Sequence, residues 1–359
     1  MMTFDEIVTL RDVLARSLRA GSPAVVATLA AREGHSYRES GSMMLMTEAL
    51  QLVGAVSGGC LEGYIGRAGR KLLRERRSVL LSFDTAAEAP NQPTLGCGGR
   101  LEILVERSGP EHLAFLDAVL HALETTDRAA LLLRFDEAGA GSVGCGPRAV
   151  VADGRVVFPT GARLDDAERL AVVEAISLRE SLTWRHDGTS LTAAYLWPRP
   201  RLVIFGARDD AMPLAKIART ASWHVTVADR RSRLATSARF PDAERVLEAP
   251  WPEVIAAVDW TPWTSAVLMT HSIEDDLELL PRLARLDLDY LGVLGPSART
   301  QRLWDAIPAE QRQRVYSPIG LSLGEKSPAA VAIGIMAALI ANRRGRLLAG
   351  APVLRGALA

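Results

Sequence analysis

From Arg201 onward the sequence repeats one pattern, in which a short, continuously apolar run is followed by a polar turn and then by a helical stretch. The apolar runs are Leu202–Phe205, His224–Ala228, Ala266–Thr270 and Tyr290–Leu294. Strands that are apolar throughout are buried on both faces, and strands that alternate with helices pair in parallel. The sequence therefore predicts an α/β domain over residues 199–345, with a doubly wound parallel sheet covered by helices.

The first of these strands runs into the glycine turn Gly206-Ala207-Arg208, and the second strand ends at Asp229. In a dinucleotide-binding βαβ unit such a turn brings backbone N–H groups to a pyrophosphate, and the acid holds ribose hydroxyls. Arg208 replaces the second glycine of that motif, so its side chain obstructs the close approach, although a guanidinium can itself bind phosphate. The segment predicts a Rossmann-like fold without bound NAD(P). In that case Asp229 is expected to be a solvated carboxylate.

Two further residues follow strands of the same predicted sheet. His271 comes after the third apolar run and Gly295 after the fourth. Open α/β sheets bind their ligands beyond the carboxyl ends of the strands, so both residues are candidates for a ligand crevice. A histidine in that position either serves in acid–base chemistry or is a hydrogen-bonded structural residue.

Residues 1–195 lack this regular alternation. Strand patterns at 43–47, 52–56, 79–83 and 101–105, a helical pattern at 61–76 and a glycine-rich turn at 138–146 predict a mixed α/β domain. Pro198 and Pro200 mark the linker to the second domain, because proline fixes φ and lacks an N–H donor. Residues 346–359 are expected to form a loose C-terminal tail.

Two cysteines of the first domain lie in glycine turns. Cys60 follows Gly58 and Gly59, and Cys97 is itself flanked by glycines. Small neighbours leave room for a bulky ligand, and successive backbone N–H groups can bind an anion. Cys60 precedes the predicted helix, whose dipole favours a thiolate, and a thiolate can ligate a metal or carry a persulfide. The alternative is that both cysteines are small buried residues that pack the turns.

Composition excludes several other classes. The chain has 42 acidic and 42 basic residues, so no basic excess is available for nucleic acid. Three cysteines are a small and odd number, which argues against a secreted disulfide framework, and the absence of a C-x-x-C pair argues against a zinc site. The most apolar run, Pro328–Ala341, is shorter than the roughly 20 residues of a membrane span, and the N-terminus resembles an amphipathic helix rather than a signal peptide. A cytoplasmic protein is expected, with neither nucleic acid nor membrane as a partner.

Taken together, the motifs of both halves resemble those of the XdhC/CoxI family. In the first half the resemblance lies in Gly34–Arg38, Leu52–Gly63 and Leu95–Gly99. In the second half it lies in Ile204–Ala207, Met269–His271, Tyr290–Pro296 and Pro318–Leu321. The motifs occur in the family's order and extend over about residues 20–345.

This resemblance implies a cofactor chaperone rather than a catalyst. Such a protein binds molybdenum cofactor (molybdopterin), supports its sulfuration by a cysteine desulfurase and assists its insertion into a xanthine dehydrogenase-like molybdoenzyme. Family members commonly self-associate, so a homo-oligomer such as a dimer is expected. Cys60 is the candidate metal ligand. The other candidate cofactor-binding residues are Arg38, Gly58, Gly59, Glu62, Cys97, Gly206, Arg208, Asp229, His271 and Gly295.

The chain departs from the family pattern mainly in its second half. Ser322 replaces an aspartate and Ala338 replaces a glutamate, in addition to Arg208 in the glycine turn. Either the ligand of that crevice differs, or the site has weakened in a divergent chain. Two other functions are therefore open, an NAD(P)-dependent oxidoreductase with His271 as general acid or base, and an assembly partner that binds no ligand. The glycine turns around Cys60 and Cys97 are intact, which favours the cofactor chaperone.

Overall fold

The computed structural model describes residues 2–73, 78–84, 99–136 and 145–345. The chain divides into two compact units, Met1–Pro198 and Arg199–Ala359. Among the described residues, no helix has both the length and the apolar character that crossing a bilayer requires.

The first unit is built on two antiparallel sheets with helices packed on them. The strands of one sheet follow the order β3-β2-β1-β5-β4, and those of the other follow the order β8-β7-β6-β10-β9. The first sheet comprises β1 (Ala24–Gly34), β2 (Met43–Thr47), β3 (Leu52–Gly54), β4 (Val79–Asp84) and β5 (Gly99–Arg107). The second comprises β6 (Ala129–Asp136), β7 (Cys145–Ala152), β8 (Arg155–Phe158), β9 (Ser181–His186) and β10 (Thr189–Tyr195). The helices are α1 (Phe4–Arg19), α2 (Glu62–Leu72), α3 (Pro110–Thr125) and α4 (Asp166–Leu178).

Helix α1 illustrates how local sequence and packing agree in this unit. Thr3 and Glu6 form a reciprocal capping box that satisfies two backbone N–H groups at the start of the helix. The buried residues of α1 recur with helical spacing, and they join side chains of α3 and of both sheets in one core. The expected mixed α/β domain is confirmed. The predicted C-terminal boundary of the glycine-rich turn at 138–146 is wrong, because β7 begins at Cys145, which pairs with Phe135 in the second sheet.

The second unit contains the parallel sheet that the strand–helix alternation predicts. Its order is β13-β12-β11-β14-β15-β16, and every neighbouring pair is parallel. The strands are β11 (Arg201–Phe205), β12 (His224–Asp229), β13 (Arg245–Glu248), β14 (Thr264–Leu268), β15 (Tyr290–Val293) and β16 (Val315–Tyr316). The helices are α5 (Ala211–Thr220), α6 (Trp251–Ala257), α7 (Ile273–Leu283), α8 (Ser297–Trp304), α9 (Ala309–Arg312) and α10 (Pro328–Arg343).

Successive side chains of β11 enter opposite cores, as a sheet covered on both faces requires. Leu202 and Ile204 pack on the side covered by α5 and α10, whereas Val203 and Phe205 pack on the side covered by α6, α7 and α8. The chain order reverses between β11 and β14, which pair directly with each other. Such a reversal opens a crevice at the carboxyl ends of the two strands.

Candidate functional site

Four of the predicted site residues lie at the same edge of the second unit's sheet. Gly206 follows β11, Asp229 ends β12, His271 follows β14 and Gly295 follows β15. These strands are parallel neighbours, so their carboxyl ends meet at one edge. Gly206 and His271 flank the point where the strand order reverses.

Gly206 has a backbone conformation that only glycine adopts without strain. Its φ is +111°, and a Cβ at this position would lie 2.2 Å from the carbonyl oxygen of Met269. The N–H of Gly206 donates to the carbonyl oxygen of Ala228 at 2.8 Å, and the N–H of Met269 donates to that of Phe205 at 2.7 Å. The turn is therefore held against both neighbouring strands.

Asp229 is buried and fully hydrogen-bonded, so the expectation of a solvated carboxylate is wrong. Its Oδ1 accepts from the backbone N–H of Arg231 at 3.0 Å and from Nε of the same residue at 2.8 Å. Its Oδ2 accepts from Nη2 of Arg231 at 2.6 Å and from the N–H of Ala207 at 2.9 Å. Burial raises the pKa of Asp229, but the hydrogen bonds from Arg231 and Ala207 outweigh it and hold the pKa below its usual value. A ribose hydroxyl would have to displace one of these donors.

We expect Arg231→Met to destabilise the second unit by about 2 kcal/mol at pH 7, because a buried carboxylate loses its charged partner. A depressed pKa stabilises the fold above the unfolded-state pKa of about 3.9, and this stabilisation disappears as pH falls through the lower folded-state pKa. The difference between Arg231→Met and the unaltered chain should therefore shrink near pH 3. Urea unfolding at pH 7 and near pH 3 measures this difference in the free energy of unfolding. Arg208→Met, which replaces an exposed arginine of the same edge, is the control. Equal losses at both pH values would contradict the assignment.

The side chain of His271 reaches across the crevice to the N-terminus of α5, the helix that follows β11. Its Nε2 lies 2.7 Å from Oδ2 of Asp210, the residue that precedes α5. The other oxygen of Asp210, Oδ1, is buried and makes no hydrogen bond within the described residues. His271 has φ +59°, a left-handed conformation that is strained for a residue with a side chain. The side chain remains 41% exposed, so the ring is accessible at the edge where ligands bind in such sheets.

Gly295 lies beside a second buried ion pair of this edge. A Cβ at Gly295 would lie 2.8 Å from Cδ of Arg299. Nε of Arg299 donates to Oδ2 of Asp276 at 3.0 Å, and Oγ1 of Thr270 donates to Oδ1 of Asp276 at 2.6 Å. Burial nevertheless raises the pKa of Asp276 above its usual value. Gly295 thus leaves space for Arg299 to reach this carboxylate.

In the first unit, the turn that carries Cys60 is closed by Glu62. Oε1 of Glu62 accepts from the backbone N–H of Ser57 at 3.0 Å, and Oε2 accepts from the Ser57 hydroxyl at 2.7 Å and from the N–H of Leu61 at 3.1 Å. Burial raises the pKa of Glu62, but the hydrogen bonds from Ser57 outweigh it and hold the pKa below its usual value. Both oxygens of Glu62 thus have partners in the protein, so this side chain shapes the turn.

The Cys60 thiol is free and exposed, which contradicts the alternative that this cysteine is a buried packing residue. Helix α2 begins at Glu62, two residues after the cysteine. Gly59 has φ +104°, and a Cβ there would meet no heavy atom of the described residues within 4 Å. The thiol therefore lies on a turn of fixed shape with open space beside it.

The loop between β1 and β2 lies against this turn. A Cβ at Gly58 would lie 3.6 Å from Cγ of Tyr37. The neighbouring Arg38 forms an ion pair with Glu6 of α1, with Nη2 and Oε1 at 2.7 Å, so its guanidinium is already paired. Gly99, the last residue of the glycine motif around Cys97, lies at the start of the same loop. A Cβ built at Gly99 would lie 2.6 Å from the carbonyl oxygens of Glu33 and His35. Cys97 lies outside the described residues.

Comparison with known families and proteins then identifies the chain. A family model described as the XdhC Rossmann domain matches residues 202–339, and one described as the XdhC and CoxI family matches residues 17–84. The chain belongs to the XdhC and CoxI family. The first match contains the crevice edge of the second unit, and the second contains the Cys60 turn.

Two proteins match this XdhC and CoxI family member over nearly its whole length, and a third matches part of it. The chain is 27% identical over 338 residues to a Bacillus subtilis (strain 168) protein named as a probable xanthine dehydrogenase subunit, and the match covers 94% of this chain and 97% of that protein. A crystal structure described as a xanthine dehydrogenase from Bacillus halodurans matches with a TM-score of 0.74 and 27% identity, covering 95% of this chain and 98% of that one. The uncharacterized protein YqeB of Escherichia coli (strain K12) is 25% identical over 148 residues, which is 40% of this chain and 27% of YqeB.

Within this XdhC family chain, sequence reasoning missed the partners of the predicted residues. Tyr37, Asp210 and Arg231 lie in direct contact with predicted positions or form hydrogen bonds with them. Two of them leave a sequence signal, since Arg231 follows a strand-terminal aspartate by two positions and Tyr37 lies within the motif Gly34–Arg38. In the described residues, no group of three or more His, Cys, Asp or Glu side chains could hold a metal ion.

Proposed function

We propose that this chain is an accessory protein that binds molybdenum cofactor and assists its sulfuration and its insertion into a xanthine dehydrogenase-like molybdoenzyme. The observation that carries the proposal is the exposed Cys60 thiol on an open glycine turn whose shape is fixed by Glu62. Membership of the XdhC and CoxI family and the names of the full-length relatives support it.

The residues of the turn fit such a ligand. A thiolate is a soft metal ligand, and Gly58 and Gly59 add no side chains beside it. When bound, the cofactor supplies the metal centre and its exchangeable terminal ligand. Cys60 would hold the metal or carry sulfur delivered by a cysteine desulfurase, and the hydrogen bonds of Glu62 would maintain the shape of the turn. Arg38 would reach the cofactor phosphate only by leaving Glu6.

In this proposal the second unit contributes acid–base chemistry rather than a thiol. His271 and Asp210 form a hydrogen-bonded pair at the reversal of the strand order, which favours an acid–base role at that edge. An NAD(P)-dependent oxidoreductase would use the same edge. However, Asp229 is already bound by Arg231, and Arg208 occupies the position of the second glycine in the dinucleotide-binding motif. We therefore expect the crevice to bind neither NAD nor NADP.

The proposal is tested by retention on the full-length protein. The chain is incubated separately with molybdenum cofactor, NAD and NADP and then desalted. We expect molybdenum and pterin to remain in equal amounts, as measured by elemental analysis and by pterin fluorescence after oxidation, and neither nucleotide to be retained. Retention of a nucleotide without molybdenum would favour the oxidoreductase, and retention of nothing would favour the assembly partner.

A further inference from the structure

The side chain of Tyr37 presents an aromatic surface beside the Cys60 turn. It is 81% exposed, more than any other large hydrophobic side chain that the structure describes. Its inner side lies against Gly58, where a built Cβ would be 3.6 Å from Cγ, 3.7 Å from Cβ and 3.8 Å from Cδ1 of the tyrosine. The glycine backbone covers only the base of the ring, and the guanidinium carbon of Arg38 lies 5.8 Å from the ring centroid. Exposing so much of the remaining aromatic surface to water is unfavourable.

The position of this ring is fixed by the loop that carries it. The next residue, Arg38, is held by Glu6 of α1 through two hydrogen bonds. Further along, the N–H of Gly41 donates to the carbonyl oxygen of Leu29 at 2.8 Å, and Ser40 is buried. These contacts hold the backbone on the C-terminal side of Tyr37, and on its N-terminal side Gly34 pairs with Gly99 of β5. A ligand that stacks on the ring would therefore meet a loop that is already in place.

The described residues leave the region around Cys60 open. None of their heavy atoms lies within 4 Å of a Cβ built at Gly59 or at Gly63, and the thiol of Cys60 is exposed between these two glycines. An exposed aromatic side chain therefore lies beside the turn that carries the exposed thiol. A ligand that combines a flat heteroaromatic ring with a soft metal can use both surfaces.

We propose that Tyr37 is the stacking surface for the pterin ring of the bound cofactor and so determines specificity for a flat heterocycle. This proposal rests on the proposed function, because it assigns one part of the same ligand to one side chain. Stacking needs the ring and not the hydroxyl, so phenylalanine should replace tyrosine and an aliphatic residue should not. In this account Tyr37 contacts the pterin ring, whereas Cys60 contacts the metal.

The experiment uses 6-carboxypterin, a fluorescent pterin without metal, titrated into the full-length chain. Tyr37→Leu is expected to weaken its binding about fivefold or more, within the range for a heterocycle stacked on an aromatic side chain, whereas Tyr37→Phe stays within about twofold. Leu170→Ala, at a leucine of α4 that is 67% exposed, is the matched surface control and should bind like the unaltered chain.

The outcomes separate this proposal from the previous one. Equal pterin affinity in Tyr37→Leu and the unaltered chain, or no pterin binding by the unaltered chain, overturns the role of Tyr37. A loss of affinity in Tyr37→Phe as large as in Tyr37→Leu also overturns it, because the hydroxyl would then be the binding group. If Tyr37→Leu loses pterin affinity while Cys60→Ala retains the complete cofactor, the thiol role in the proposed function fails and the stacking role stands.

Discussion

Replacing Cys60 by alanine is expected to reduce the retention of molybdenum cofactor tenfold or more while leaving the fold intact. The loss corresponds to about 1.4 kcal/mol of binding free energy, a modest value for removing a metal ligand or sulfur carrier. The thiol is exposed and the turn is closed by Glu62 rather than by the cysteine, so the melting temperature should hardly change. Molybdenum content after desalting and thermal unfolding, measured on the same preparation, check both parts.

Two variants make this result specific for the thiolate. Cys60→Ser retains the size and polarity of the side chain but replaces the soft sulfur ligand by a hydroxyl, so it should lose cofactor like Cys60→Ala. Cys145→Ala removes a cysteine outside the proposed site and should retain cofactor fully. Retention by Cys60→Ala equal to that of the unaltered chain would refute the thiolate role. A clear fall in melting temperature with unchanged retention would assign Cys60 to the fold instead.

Replacing Gly206 by alanine is expected to destabilise the second unit by about 3 kcal/mol or more. The φ of +111° is strained for alanine, and the new Cβ would lie 2.2 Å from the carbonyl oxygen of Met269 and 2.9 Å from Cα of Thr270. Both contacts are with backbone next to β14, which cannot move aside without breaking its hydrogen bond to Phe205. Urea unfolding followed by tryptophan fluorescence measures the loss, since most of the tryptophans lie in this unit, namely Trp223, Trp251, Trp260, Trp263 and Trp304.

Gly324→Ala is the matched control in the same unit. Gly324 also has a positive φ, of +76°, but within the described ranges a Cβ there would meet no heavy atom closer than 4 Å. Its replacement therefore carries the conformational cost alone, about 1 kcal/mol. Equal destabilisation by the two substitutions would mean that the contact between the β11 turn and the end of β14 is not what requires glycine at position 206.

Parts of the candidate site were accessible from sequence because they depend on local patterns. A glycine, an aspartate and a histidine that each follow an apolar run must meet at one edge when the runs are parallel strands, and Gly206, Asp229 and His271 do so. Similarly, a cysteine preceded by two glycines predicts an open turn, and Cys60 is exposed on one. In both cases the relevant residues lie close together in the chain or are placed by strand periodicity.

The role of the carboxylates was decided by tertiary structure. In the alternative without a bound dinucleotide, Asp229 was expected to be a solvated acid, yet it is buried because Arg231 turns back onto it and the N–H of Ala207 reaches it from the turn after β11. Cofactor binding by Glu62 stays a prediction, and both oxygens of this side chain already accept hydrogen bonds within the turn. Composition and spacing place an acid near a site, but they do not determine which donors reach it first.

By itself, the sequence determined the class of each domain, the edge at which the crevice lies and the exposed cysteine turn, because strand periodicity and glycine conformation are properties of short segments. Tertiary structure alone brought Tyr37 onto Gly58, Glu6 to Arg38 and Asp210 to His271. These partners are separated by 21, 32 and 61 positions. Contacts of that kind depend on how helices and strands pack, since burial brings side chains together whatever their separation along the chain.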